Sequence, residues 1–207
     1  MFSRSTLGKR LASLATTTEH GPWSRAIGFH LLKGPPPGAP ATSPPQPLWP
    51  GGAPLNGARF TPRGSFGSLY LAENPVTALQ EVVSIFIPSK TAAPVTLKTS
   101  PWVVVTIEGV LTNVVDLTDS SVQKHLGTTV AELTGDWLYT QSIGGVPSTQ
   151  LLGQAAYEAG IVALKYTSAK AVGTGNSLVV FTDNLAANVA NFLEVYDEHG
   201  NLGQRLP

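Results

Sequence analysis

The sequence predicts an α+β fold in a single domain, and three observations carry that expectation. Strand-like and helix-like segments mix along the chain without the regular βαβ alternation of a doubly wound sheet. No internal repeat is visible, and 207 residues suffice for one sizeable core. The hydrophobic content of 42% is that of an ordinary globular protein, although charge is sparse at 13%.

Taken in order, the first eighteen residues (MFSRSTLGKRLASLATTT) hold Arg4, Lys9, Arg10 and many hydroxyls, with no acid before Glu19. The composition resembles an organelle transit peptide without a secretory apolar core. A frayed or weakly helical extension over residues 1–21 is expected, with the domain proper over 22–207. Residues 34–54 hold nine of the 17 prolines and read as a polyproline-like or irregular surface loop. That loop joins Arg25 to Arg59, which places it as a lid over any cleft between them. Ser68–Ala72 (SLYLA) is short and apolar enough for a buried strand. Asn74 and Pro75 then open a helix, as N-cap and first helical residue.

Trp102–Glu108 is a strong strand, followed by a second over Val114–Leu117. Ser120-x-x-Gln123 and Thr129-x-x-Glu132 have the form of capping boxes opening two short helices. Ser148 or Thr149 caps a helix that runs through Ala159 and stops at Gly160. Strands follow near Ala163–Thr167, Ser177–Thr182 and Phe192–Tyr196, with a turn at Glu198–Asn201.

Three polar residues stand out within this plan. Arg59, Tyr70 and Glu81 lie eleven positions apart on a strand–turn–strand–helix segment, so their side chains can converge. A fixed cation, an aromatic with a hydroxyl and a carboxylate match the diphosphate, base and ribose of a dinucleotide. The plain alternative is a surface arginine, a core tyrosine and a solvated acid. On a helical projection Val76, Ala78, Leu79, Val82 and Val83 share one face, and Glu81 falls outside it.

Composition excludes several classes. No cysteine is present, so disulfides, zinc–thiolate sites and cysteine nucleophiles are ruled out. His20, His30, His125 and His199 are isolated, without a ligand-type neighbour three or four residues away; no metal is expected. A net charge of zero, with no basic run beyond Lys9-Arg10, argues against nucleic acid. No apolar run is long enough to span a membrane. Ser121-Val-Gln-Lys124 fits S-x-x-K without its companion motifs, and there is no G-x-S-x-G elbow, P-loop or G-x-G-x-x-G after a strand.

Taken together, the ordered motifs resemble the RES family, named for its arginine, glutamate and serine. The family's glycine-arginine-aromatic motif is similar to Gly57-Ala58-Arg59-Phe60, with one residue between glycine and arginine. Tyr70-Leu71-Ala72 resembles its tyrosine strand, and Thr77-Ala78-Leu79-Gln80-Glu81 its glutamate helix. The segment from Gly160 through Ser168 to Lys170 resembles the strand ending in the serine, and Gly175–Phe181 the strand after it. Trp23-Ser24-Arg25 resembles an aromatic-x-arginine opening. The likeness spans roughly residues 22 to 185; no single motif is specific, but the ordered set is.

The resemblance implies an ADP-ribosyltransferase-like domain that uses NAD as substrate. The protein would be a bacterial, cytoplasmic toxin neutralised by an Xre-type antitoxin that covers the pocket. In that reading Glu81 is the catalytic residue, while Arg25, Arg59, Tyr70 and Ser168 bind the dinucleotide. Nicotinamide leaves as a neutral base, so the usual carboxylate pair of glycoside cleavage reduces to one anion facing a growing oxocarbenium charge. Arginine's planar fork suits a diphosphate, and a tyrosine ring suits stacking on nicotinamide. Two alternatives stand: a protein ADP-ribosyltransferase using the same site, and a non-catalytic binding protein on the same scaffold. No motif encodes the ADP-ribose acceptor or the oligomeric state.

Overall fold

One long strand organises the molecule. The computed structural model describes residues 2–35, 38–41, 43–83, 101–170 and 175–207. Helix α1 (Arg4–Leu11) is followed by strands β1 (Thr17–His20) and β2 (Trp23–Gly28), helices α2 (His30–Lys33) and α3 (Gly52–Asn56), and strand β3 (Ser68–Ala72). Helix α4 (Pro75–Val83) and strand β4 (Trp102–Asp116) come next. Helices α5 (Ser120–Leu126), α6 (Val130–Thr134), α7 (Trp137–Ser142) and α8 (Ser148–Glu158) lead into strands β5 (Ala163–Thr167), β6 (Asn176–Phe181), β7 (Phe192–Val195) and β8 (Arg205–Leu206).

The valine-rich β4 pairs along one edge with β1 and β2, and along the other with β5 and β7. β2 also meets β3, which pairs with β6, and β6 with β5. The pairings β2–β3–β6–β5–β4–β2 therefore close on themselves within one eight-stranded sheet. Among the described strands only β4–β5 is parallel, so the sheet is mixed, as an α+β domain predicts. The expected pair of strands over 102–117 is a single strand. Gly109 does not break it: a Cβ there would stand 2.2 Å from the Phe192 carbonyl oxygen, so glycine serves the close approach of β7.

Period-two alternation sorts the side chains into two layers. Leu69, Leu71, Ala163, Leu178 and Val180 pack with Trp23 and Ile27 of β2, Leu193 and Val195 of β7, and Leu48. On the opposite face, Leu164, Tyr166, Val179 and Phe181 meet α1, α5, α6 and α8.

Two expectations change here. The first residues are not a frayed extension: Leu7 and Leu11, one helical turn apart, are 0% and 1% exposed in the core beneath α8. Burying each stabilises the fold by roughly 1.5–3 kcal/mol, enough to order a short helix. Nor is the described end of the proline-rich loop a lid. Leu48 is fully buried on the face opposite Tyr70, and its N–H donates to Gln204 Oε1 at 2.7 Å.

Local signals mostly hold. Asn74 Oδ1 caps α4 by accepting the Thr77 N–H at 2.8 Å, and Thr129 caps α6 through the Glu132 N–H. α5 is capped by Asp119 rather than Ser120, and α8 begins at Ser148 without a side-chain cap.

Candidate functional site

The site forms on the helix-covered face, around a tight turn after α3. Ala58 and Thr61 bridge across that turn, with Arg59 and Phe60 at its tip. Gly57 enters it with φ +77°, a conformation glycine adopts without strain. Gly153 of α8 admits it, since a Cβ there would lie 1.9 Å from the Phe60 carbonyl oxygen. Phe60 is fully buried and Arg59 nearly so. Arg59 Nη1 donates to the carbonyls of Leu133 and Gly135, both at 2.8 Å, at the C-terminal end of α6. Nε and Nη2 make no further hydrogen bond among the described residues, which leaves one edge of the fork for a ligand.

Tyr70 joins this turn from β3. Its hydroxyl accepts the Phe60 N–H at 3.0 Å and shares a hydrogen bond with Thr61 Oγ1 at 3.1 Å; Thr61 in turn bonds Ser68 at 2.6 Å. Burial pushes the Tyr70 hydroxyl up to about 12, against the opposing pull of those bonds and of Arg59's charge. The hydroxyl thus locks the arginine turn, and the half-buried ring is what remains for a ligand.

Glu81 arrives from the other side, and its direction differs from the helical projection. Val76 is 63% exposed and Leu79 37%, while Thr77 and Ala78 are buried. α4 therefore packs on its Thr77–Ala78 side. Glu81, four residues after Thr77, turns inward and is half-buried. Ser168, just beyond β5 and 2% exposed, donates its hydroxyl to Glu81 Oε1 at 2.5 Å. That length is typical of a charge-assisted O–H···O⁻ bond. The Lys170 N–H donates to Ser168 Oγ at 3.3 Å and fixes the hydroxyl in turn.

Tyr166 was not among the candidates, yet it stands between the two groups. It lies two residues before Ser168 on β5, so both side chains share a face, and its ring packs on Phe60 with centroids 4.8 Å apart. Burial pushes its hydroxyl well above the ordinary tyrosine value; the charges of Glu81 and Tyr70 add to this and Arg59 opposes it. Arg59 and Tyr70 thus meet at the turn, and Glu81 meets Ser168, which follows Tyr166 on the same face. The available signal was the period-two spacing from Ser168.

Arg25 is elsewhere. It shares the β2 face of Trp23 and Ile27, opposite the tyrosines. Its Nε, Nη1 and Nη2 donate to the carbonyls of Pro47, Tyr70 and Trp49 at 3.2–3.3 Å. Burial pulls its guanidinium down to about 10, still charged at neutral pH. Among the described residues no three His, Asp or Glu side chains gather as metal ligands, and no helix is long and apolar enough to cross a membrane.

An arginine turn, a tyrosine strand, a glutamate helix and a serine after a strand, in this order, define a RES domain. The RES domain profile matches residues 36–202, and the chain belongs to that family. The match includes Arg59, Tyr70, Glu81, Tyr166 and Ser168 and begins after Arg25. None of the curated proteins matches the sequence. Among solved structures, the fold is similar to that of the MbcT toxin in the crystal structure of the M. tuberculosis MbcT–MbcA toxin–antitoxin complex. The TM-score is 0.65 and the identity 20%, over 93% of this chain and 90% of that one. At that identity the likeness is one of fold, and the fold is the single α+β domain with a mixed sheet that the sequence predicts.

Proposed function

We propose that this protein is the NAD-consuming toxin of a toxin–antitoxin pair, cleaving the nicotinamide–ribose bond by hydrolysis or phosphorolysis. The observation that carries the reading is the carboxylate of Glu81 gripped by Ser168 at 2.5 Å on the face that also holds Arg59 and Tyr70. A carboxylate fixed in this way needs no reorganisation when charge develops beside it.

In this reading Arg59 takes the diphosphate on Nε and Nη2, with Nη1 already anchored to α6. The ring of Tyr70 orients nicotinamide. Glu81 faces the ribose as the C1′–N bond breaks, the electron pair leaves with nicotinamide, and water or phosphate oxygen bonds to C1′. The attacking water releases one proton to solvent; Ser168 holds the carboxylate and is not a nucleophile. The partner is a separate antitoxin of the Xre type, seated over the pocket.

The test is to incubate the purified protein with NAD and measure free nicotinamide, with and without phosphate and with and without chelator. Release that is insensitive to chelator is expected, with phosphate dependence separating phosphorolysis from hydrolysis. Glu81→Gln should cut release by about a thousandfold, the scale of one electrostatic group at a developing charge, and relieve toxicity while circular dichroism stays unchanged. Undiminished release from a folded Glu81→Gln protein would move the catalytic role elsewhere.

A further inference from the structure

Arg59 is held at its root as well as at its tip. Gln150 of α8 is 4% exposed, and its amide nitrogen donates twice: to the Ala58 carbonyl at 2.9 Å and to Gln141 Oε1 at 2.9 Å. Gln141, on α7, donates its own amide to the Asn56 carbonyl at 3.2 Å. Two side-chain amides thus bridge the carbonyls of the residues that flank Gly57, at the entry to the arginine turn. We propose that Gln150, backed by Gln141, is a positioning residue that aims the open edge of the Arg59 fork and so sets the affinity for NAD.

A peptide unit is planar, so a hydrogen bond to either of its polar atoms orients the whole plane. The Ala58 carbonyl belongs to the plane before the Arg59 Cα, and the Phe60 N–H to the plane after it. Gln150 holds the first and the Tyr70 hydroxyl the second. With both planes set, the direction in which the arginine side chain leaves the backbone is set too. Nη1 is pinned at the far end on the carbonyls of Leu133 and Gly135. The orientation of the edge that carries Nε and Nη2 follows from the two anchors together.

α8 and the turn fit each other at two points. Gln150 lies three residues before Gly153, so the two share one face of the helix. The glycine admits the Phe60 carbonyl, and the glutamine takes the Ala58 carbonyl. At Gly57 a Cβ would lie 2.2 Å from Gln141 Oε1, so that glycine serves the approach of the amide as well as the turn.

The bond that breaks lies at the nicotinamide ribose, and a diphosphate contact is made equally before and during its cleavage. Misaiming the fork therefore weakens substrate binding without slowing the chemical step.

This inference rests on the NAD reading, and its test separates the two. Gln150→Met keeps the length of the side chain and removes both donors, while Gln141→Ala removes the outer link from a half-buried position. Gln154→Met, on the same helix with its amide on Glu158, is the control. With nicotinamide release as readout, KM for NAD should rise about tenfold in Gln150→Met and about threefold in Gln141→Ala, with kcat within about twofold of the parent's. In the Arg59→Lys background Gln150→Met should raise KM by less than about twofold, because both changes act on one contact. The control should keep the parent's KM. A parent-like KM in Gln150→Met, a fall in kcat in place of the rise in KM, an equal rise in the control, or an undiminished rise on top of Arg59→Lys would overturn the role of Gln150 and leave the NAD reading intact. If Gln150→Met does not fold, a parent-like KM in Gln141→Ala overturns it instead. A wild-type protein that releases no nicotinamide would overturn both.

Discussion

Arg25 and Arg59 are two carbonyl-anchored guanidiniums that differ in how many of their donors the fold engages. Each is anchored by backbone carbonyls. Arg25 commits all three nitrogens, to Pro47, Tyr70 and Trp49. Among the described residues Arg59 commits Nη1 alone, to the end of α6. The two also face opposite layers of the sheet. An arginine's fork recognises a diphosphate only while an edge of it remains open. Arg25 therefore straps the proline-rich segment to the sheet, and in the proposed function Arg59 is the arginine that binds the ligand.

The sharpest way to break that contrast is Arg25→Met, which retains the stem and removes the fork. Three carbonyls lose their donor, and orphaned buried acceptors cost about 1–3 kcal/mol each where water cannot replace the bond. With partial access of water, a stability loss of about 2–4 kcal/mol is expected in urea unfolding. NAD affinity of the protein that remains folded should change less than threefold, a small effect on the scale of a lost charged bond. An affinity that collapsed while stability held would return Arg25 to the dinucleotide, where the family resemblance places it.

Arg59→Lys sharpens the other side. Lysine keeps the charge but cannot hold the α6 carbonyls and a diphosphate with a rigid fork. NAD binding, measured by calorimetry on the Glu81→Gln protein, should weaken by about 1–3 kcal/mol, the scale of a charged hydrogen bond. An unchanged affinity would mean that the free edge of Arg59 meets no phosphate.

The same contrast marks what the sequence could convey. Strands β3, β5 and β6 were legible because each is a short apolar run bounded by turn residues, and α4 because Asn74-Pro75 is a local start signal. Arg59, Tyr70, Glu81 and Ser168 were legible only as an ordered set; the structure brings Tyr70 to the Arg59 turn and Glu81 to Ser168. Helix direction was not legible: Val76 and Leu79 face outward because tertiary packing prefers Thr77 and Ala78 against the sheet. The docking of α1 onto the core was not legible because only Leu7 and Leu11 mark its buried side among hydroxyls and cations. Tyr166 and the placement of Arg25 depend on which sheet face a strand residue takes, and register across distant strands fixes that.

The mildest test concerns the lock on the Arg59 turn, which the Arg25 strap lacks. Tyr70→Phe leaves the ring and removes the hydroxyl that accepts the Phe60 N–H and meets Thr61. A loss of about 1–3 kcal/mol is expected, the net worth of two neutral hydrogen bonds. The pH dependence has a definite sign. The hydroxyl stands at about 12 in the folded protein, above the ordinary tyrosine value of 10.0. The native state therefore holds that proton more tightly than the unfolded chain. Its contribution is complete below about pH 10 and is lost as pH rises from there through about 12. Tyr70→Phe should accordingly lose less stability than the parent across that alkaline window, so the gap between the two proteins narrows. A gap that stayed constant through the window would mean that Tyr70 ionises no differently in the folded protein than in the unfolded chain.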